Sequence, residues 1–252
     1  MNKFLEYVPG DTVFHKMNPM TKLIGAIVFA LACFCTSNLV ILAIMLVAAL
    51  CMAAACGMLR QTAGLVKAVL AFSLILAIVQ VLFTPTGDVL VALPWGYIGT
   101  GSLLAALTTI VRLEAAAIPL FLTFYVTKMS DMTNAAVKVL HVPYKYAFTF
   151  SSTVHFIPVF MNDMRSIMEA QTARGIEFDQ GGLIKKIRLM VPLCVPLLVS
   201  SVRKTNSAAI AAEVRGFNLR TRASGFKQYP FALRDYAALI VALAALVFAI
   251  IL

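Results

Sequence analysis

Four apolar runs fill the first half of this chain, at about residues 22–36, 39–58, 65–83 and 102–126, and a fifth closes it at 236–252. Crossing the hydrocarbon core takes about 20 apolar residues as an α-helix but only about 10 alternating ones as a barrel strand. In lipid every backbone N–H and C=O must be satisfied by the spanning structure itself, and long continuous runs do this as helices. Composition agrees: of 252 residues, 61% are hydrophobic and 13% charged, where a soluble domain carries about 25% charged residues. The fold class expected is an all-α integral membrane protein, with about five transmembrane helices and a cytoplasmic coupling domain of amphipathic helices.

The runs are separated by turn signals. Thr36-Ser37-Asn38 divides the first two, and Gly57 and Arg60 end the second. T-P-T-G-D follows the third, and the aromatics of Pro94-Trp95-Gly96-Tyr97 suit the headgroup level. Acids and a proline precede the first run, which is too long for a signal-peptide core, so no cleaved leader is expected. Basic residues set the orientation. Lys3, Lys16 and Lys22 flank the start of the first run, Arg60 and Lys67 lie between the second and third, and the other two early loops have none. The N-terminus is therefore expected in the cytoplasm. After four spans, segment 128–235 returns there, holding 15 of the 21 Lys and Arg against 7 of the 11 Asp and Glu, a net of +8. The division expected is a cytoplasmic N-terminal segment (1–21), a four-helix membrane region (22–127), interfacial and cytoplasmic coupling helices (128–235) and a final span (236–252) that leaves the C-terminus outside.

Segment 128–235 is too apolar for a loop and too charged for clean spans. Pro143, Pro158, Pro192 and Pro196 are expected to start or kink its helices. After Pro158 the pattern is amphipathic: Phe160, Met161, Met164, Ile167 and Met168 share one face, and Asn162, Asp163, Arg165, Ser166 and Glu169 the other. After Pro196 small residues gather, with Ser207, Ala208, Ala209, Ala211 and Ala212, a composition that lets two helix backbones approach closely. Ala208 and Ala212 are placed at the expected crossing of the two helices.

Each of these helices ends at Arg-Gly: A-R-G-I-E-F at 173–178 and V-R-G-F-N-L at 214–219, offset by 41 residues. An arginine in a last turn complements the helix dipole, and a left-handed glycine caps the end. A capped end that projects a guanidinium is also a rigid way to present a bidentate cation to an acidic or carbonyl-lined pocket on another protein. Both readings hold together.

Other chemistry is sparse. Cys33, Cys35, Cys51, Cys56 and Cys194 read as packing residues, and His15, His141 and His155 are too scattered for a metal site, so no metal is expected. No H-E-x-x-H, paired intramembrane aspartates or nucleophile elbow is present, and the chain is read as non-catalytic. Arg112 and Glu114 lie near the middle of the fourth run, where ionisable groups are costly. Two residues apart on a helix, they point to opposite sides and need separate partners, in a proton or ion pathway or as anchors to neighbouring helices or another subunit. Asn18 and Pro19 suit the N-cap and first position of the first span, with Lys22 snorkelling to the headgroups. The basic charge adjoins a membrane whose inner leaflet is anionic, which argues against nucleic acid.

The chain resembles the T component, the transmembrane scaffold subunit, of energy-coupling factor (ECF) transporters. The resemblance rests on H-K-M-N-P-M-T-K-L at 15–23, close to the family's His-Arg-Leu-Asp-Pro-Arg-Thr-Lys-Leu, on V-P-Y-K-Y at 142–146, on H-F-I-P at 155–158, and on the two Arg-Gly sites. It implies that Ala173, Arg174 and Gly175 dock one ATP-binding cassette subunit, and Val214, Arg215 and Gly216 a second one or a second copy of the first. Val214 stands where the family usually has Ala, which leaves less room at that groove. The resemblance further implies a small membrane S component that captures the substrate, with ATP and Mg bound by the ATPases and no cofactor on this chain. His15 and Lys16 are open to contact with the coupling helices. The bacterial or archaeal plasma membrane is the implied location. The alternative class is a stand-alone secondary transporter, which tends to show repeated halves around a midplane site. No second copy of the first four runs is present.

Overall fold

The computed structural model describes residues 8–84, 86–93, 96–176, 182–221, 224–225 and 227–251. Eight α-helices follow one another: α1 (Pro19–Cys35), α2 (Leu39–Ala55), α3 (Leu59–Phe83), α4 (Thr100–Val126), α5 (Met129–Val139), α6 (Tyr144–Ala173), α7 (Leu183–Val214) and α8 (Leu233–Ile251). A small antiparallel hairpin, β1 (Val89–Leu93) and β2 (Gly96–Gly99), joins α3 to α4 with Val91 opposite Ile98 and Leu93 opposite Gly96. The fold is all-α apart from this hairpin, which the apolar pattern did not announce. Pro94 and Trp95, expected at the headgroups, lie outside the described residues, as do Glu177 and Phe178 of the first triplet and Leu252.

Three helices, α3, α4 and α8, are long and apolar enough to cross a membrane; α1 and α2 are apolar helices of 17 residues each. At about 1.5 Å per residue, 17 residues span about 26 Å, the short end of what crosses a bilayer. Of the boundaries that differ from those of the apolar runs, two starts have a clear local cause. The first helix begins at Pro19 rather than 22, because Asn18 caps it by accepting from the Met20 N–H at 3.0 Å. The third begins at Leu59 rather than 65, because Gly57, at φ 70°, ends α2 one turn earlier and lets a new helix start at once.

The chain divides into two compact units, Met1–Ala135 with Tyr229–Leu252, and Ala136–Gln228. In the first, α4 is central. Ala32, Cys33, Leu42, Met45 and Ala115 form one buried cluster together with Ala249 of α8, and Ala49, Ala53, Met58, Ile118, Leu122 and Val126 form a second. Alanines at these contacts let backbones approach where lipid supplies no hydrophobic drive between helices. α1 runs antiparallel to α4: Lys22 meets Thr127 at one end, and Thr36 meets Arg112 at the other. α3 is likewise antiparallel to α4, with Thr109 donating to Gln80 at 2.8 Å and Ser102 to the Thr84 carbonyl at 2.8 Å. Arg112 is 12 residues into α4, so α4 continues about 18 Å past the α1–α2 turn.

In the second unit Pro143 is the N-cap of α6, but Pro158, Pro192 and Pro196 lie inside helices rather than at their starts. All three prolines are on exposed faces, where a helix that has lost a backbone hydrogen bond can bend without opening a core.

Candidate docking site at two arginine-capped helix ends

α6 ends in a full Schellman motif. Arg174 is the C-cap and Gly175 takes the left-handed conformation at φ 88°. The Gly175 N–H donates to the Thr172 carbonyl at 2.9 Å and the Ile176 N–H to that of Gln171 at 3.1 Å. α7 ends alike. Arg215 is the C-cap, Gly216 has φ 73°, and its N–H donates to the Glu213 carbonyl at 2.9 Å. A residue with a Cβ is strained at such φ, so both glycines are dictated by the backbone. Ala173, Arg174, Gly175, Val214 and Arg215 are exposed and Gly216 is half-buried; Val214 has 83% of its surface free. Neither guanidinium is hydrogen-bonded or ion-paired among the described residues.

What holds the two ends apart is the pairing of α6 with α7. Lys204 Nζ donates to both Asp163 carboxylate oxygens at 2.6 Å, and Ser200 Oγ donates to Oδ2 at 2.9 Å. Those hydrogen bonds, Lys204's first, hold the Asp163 carboxyl below its ordinary range. A lowered carboxyl pKa means that this contact is intact above about pH 4 and is lost only as the pH falls through the lower folded value. Nearer the end of α7, Phe217 packs on Tyr144 and Phe148, with ring centroids 5.6 and 4.8 Å away. Arg220 donates to the Tyr144 hydroxyl at 2.8 Å. Contacts in opposite order along the two helices make the pair antiparallel.

Asp163 and Lys204 are themselves 41 residues apart, the offset of the two Arg-Gly sites, and each lies 11 residues before its arginine. The ion pair therefore sits at the centre of a quasi-twofold repeat, with the arginines at opposite ends. Eleven residues on each side at about 1.5 Å separate them by up to about 33 Å. Ala208 and Ala212 are half-buried on the same face of α7 as Ser200 and Lys204. The amphipathic pattern of α6 does not sort its contacts: Asp163, on the polar face, points at α7, and Met161, on the apolar face, is 43% exposed.

Sequence reasoning missed a polar junction in the first unit. Asp235, 1% exposed, accepts from the Asn18 N–H at 2.9 Å and the Ala232 N–H at 2.8 Å. Asn18 Nδ2 donates to the Tyr229 carbonyl at 2.9 Å, and the Tyr229 hydroxyl to Asp131 at 3.1 Å. Burial, then the Asp131 charge, pushes the Tyr229 phenol up to about 12, so it remains a donor throughout the neutral range. Lys22 does not snorkel: it is 5% exposed and donates to the His15 carbonyl at 3.2 Å and to Thr127 Oγ1 at 3.4 Å, acceptors that replace water. The His15 ring bonds to Thr12 and to the Val8 carbonyl, and the Lys16 carbonyl accepts from Arg234. The Asn-Pro signal at 18–19 marked half of this junction; nothing periodic marks Asp235.

Arg112 and Glu114 are not brought together. Arg112 Nη2 donates to the Thr36 carbonyl at 2.8 Å, whereas Glu114 is 4% exposed with both oxygens unbonded among the described residues.

The first unit is an apolar helical bundle of a membrane-embedded protein, and the second carries two exposed, cationic helix ends. The chain belongs to the family described as cobalt transport protein (CbiQ), whose model matches residues 10–224, and it is the transmembrane T component of an ECF transporter. It is similar to energy-coupling factor transporter transmembrane proteins of Streptococcus equi (29% identical, 93% of this chain and 90% of that one) and Lactococcus lactis (30%, 91% and 89%). The corresponding protein of Listeria innocua is 30% identical over 84% of this chain and 83% of its own.

Proposed function

We propose that this chain couples two cytoplasmic ATP-binding cassette subunits, or two copies of one, to a small S component in the membrane that captures a vitamin or trace nutrient. ATP and Mg are bound by the ATPases, and no catalytic residue is assigned to this chain. Arg174 and Arg215 each enter a groove of a different ATPase, and Ala208 and Ala212 allow the close approach of the two coupling helices. In this reading the chain crosses the plasma membrane of a bacterial or archaeal cell five times, with the N-terminus on the cytoplasmic side as the Lys and Arg bias of the early loops supports.

The observation that carries this reading is the placement of two exposed arginine caps at opposite ends of one antiparallel helix pair. A separation of up to about 33 Å suits two partners rather than one pocket. The test is co-purification of the ATPases together with ATP-driven uptake. Arg174→Ala and Arg215→Ala should each keep some ATPase but lose most uptake, because removing one buried charge contact costs about 2 to 5 kcal/mol. The double variant should lose the ATPases in detergent, and Arg→Lys should rescue in part, since an ammonium lacks the planar fork. Full uptake by both single variants, with undiminished ATPase recovery by the double, would reduce the arginines to helix caps.

A further inference from the structure

Arg112 carries a positive charge that no carboxylate among the described residues balances. The residue is half-buried, about 18 Å along α4 from its start and about 21 Å from its end. Its Nη2 is bound to a neutral acceptor, the Thr36 carbonyl at 2.8 Å, and its Nε is buried with no partner. Among the described residues no carboxylate pairs with it; Glu114, two residues on, faces another side of the helix.

The guanidinium lies against the turn between two apolar helices. Thr36, Ser37 and Asn38 form the non-helical turn between α1 and α2, and Ser37 and Asn38 are exposed. Exposed irregular backbone is not tolerated in hydrocarbon, so this turn lies where headgroups and water reach it. The turn also offers donors. Asn38 caps α2 through the Val40 N–H at 3.0 Å, which leaves the N–H of Leu39 in the first turn without a described partner. Around this polar spot the exposed side chains are apolar: Leu31 at 52%, Phe34 at 56%, Val40 at 67% and Ile44 at 62%.

We propose that Arg112 and the α1–α2 turn form a binding site for the phosphate of an anionic phospholipid. A phosphodiester supplies the missing negative charge and the acceptors for the guanidinium, the Ser37 hydroxyl and the first turn of α2. Its acyl chains lie on the apolar rim. A free anion would satisfy the donors but leave the rim uncovered, which favours the lipid.

For the test, the chain is purified with the subunits that accompany it and delipidated in a nonionic detergent. Its melting is followed as dioleoyl phosphatidylglycerol, dioleoylglycerol or inorganic phosphate is added, and native mass spectrometry counts the retained lipid. Phosphatidylglycerol should raise the Tm by roughly 5 °C at saturating excess. Arg112→Gln should abolish the shift and the retained lipid, Arg112→Lys should keep part, and Arg60→Gln should keep all. Ser37→Asp supplies a carboxylate at an exposed position beside the guanidinium and should also abolish the shift, so it carries the test if Arg112→Gln does not fold. An undiminished shift in Ser37→Asp or in a folded Arg112→Gln overturns the site. An equal shift from dioleoylglycerol would leave only acyl-chain binding, and an equal shift from inorganic phosphate would make the ligand a free anion; either overturns the lipid assignment. A lipid shift seen only after the small membrane subunit is removed would assign the guanidinium to an acidic group of that subunit and overturn it as well.

Discussion

Asp235 is an acid held by backbone donors rather than by a cation within hydrogen-bond reach: the Asn18 and Ala232 N–H groups take one oxygen each. It thereby joins the start of α8 to the residue that caps α1. Asp235→Ala would leave one buried and one part-buried N–H unpaired, the buried one costing about 1 to 3 kcal/mol. A drop in the Tm of the purified chain of several degrees is expected, with Asp235→Asn losing less because its amide oxygen still accepts. An unchanged melt in Asp235→Ala would show that water or lipid headgroups satisfy those donors. At the helix ends the same scale separates backbone from side chain: Gly175 and Gly216 shape the turn, and Arg174 and Arg215 are the side chains proposed to dock.

The antiparallel α6–α7 pair gives those side chains their geometry. Its inward face on α7 runs through Leu193, Leu197, Ser200, Lys204, Ala208 and Ala212 at helical spacing. Ala208→Leu and Ala212→Leu are therefore expected to weaken assembly of the complex and uptake, since overpacking typically costs about 1 to 3 kcal/mol. Wild-type uptake with both replaced would mean that this face is not packed. Much of the element level was legible in the sequence: continuous apolar runs specify helices, Asn18-Pro19 and Asn38 specify two starts, and Arg-Gly specifies two ends. The unbroken passage of α6 through Pro158 and of α7 through Pro192 and Pro196 was not legible. A proline removes one hydrogen bond, and whether the helix bends or stops depends on which face it occupies. The contact of Asp163 with α7 was not legible for a related reason. Periodicity sorts charges outward and has no means of seeing a lysine 41 residues away on another helix. Asp235 and Lys22 are buried because backbone carbonyls and N–H groups converge on them, and those partners come from distant segments.

On the scale of the whole molecule, the five apolar helices are of unequal length. α1 and α2 have 17 residues and α8 has 19, against 25 and 27 for α3 and α4. If all five cross, the two termini lie on opposite sides. A tag after Leu252 should be reached by an impermeant reagent on intact cells, and a tag before Met1 only after lysis. Labelling of both from one side would contradict five crossings, with α8 as an interfacial helix the arrangement to examine. The central claim, that one chain engages two ATPases through its two arginine caps, is tested most directly by photo-crosslinking from Ala173 and Val214, the residues next to Arg174 and Arg215. With a photoreactive residue at one position, each chain should link one ATPase subunit. With both positions substituted, a species of one chain and two ATPase subunits should form, and its mass should show both partners. Linkage of both positions to a single subunit, or of neither to any, would contradict the two-point coupling scaffold.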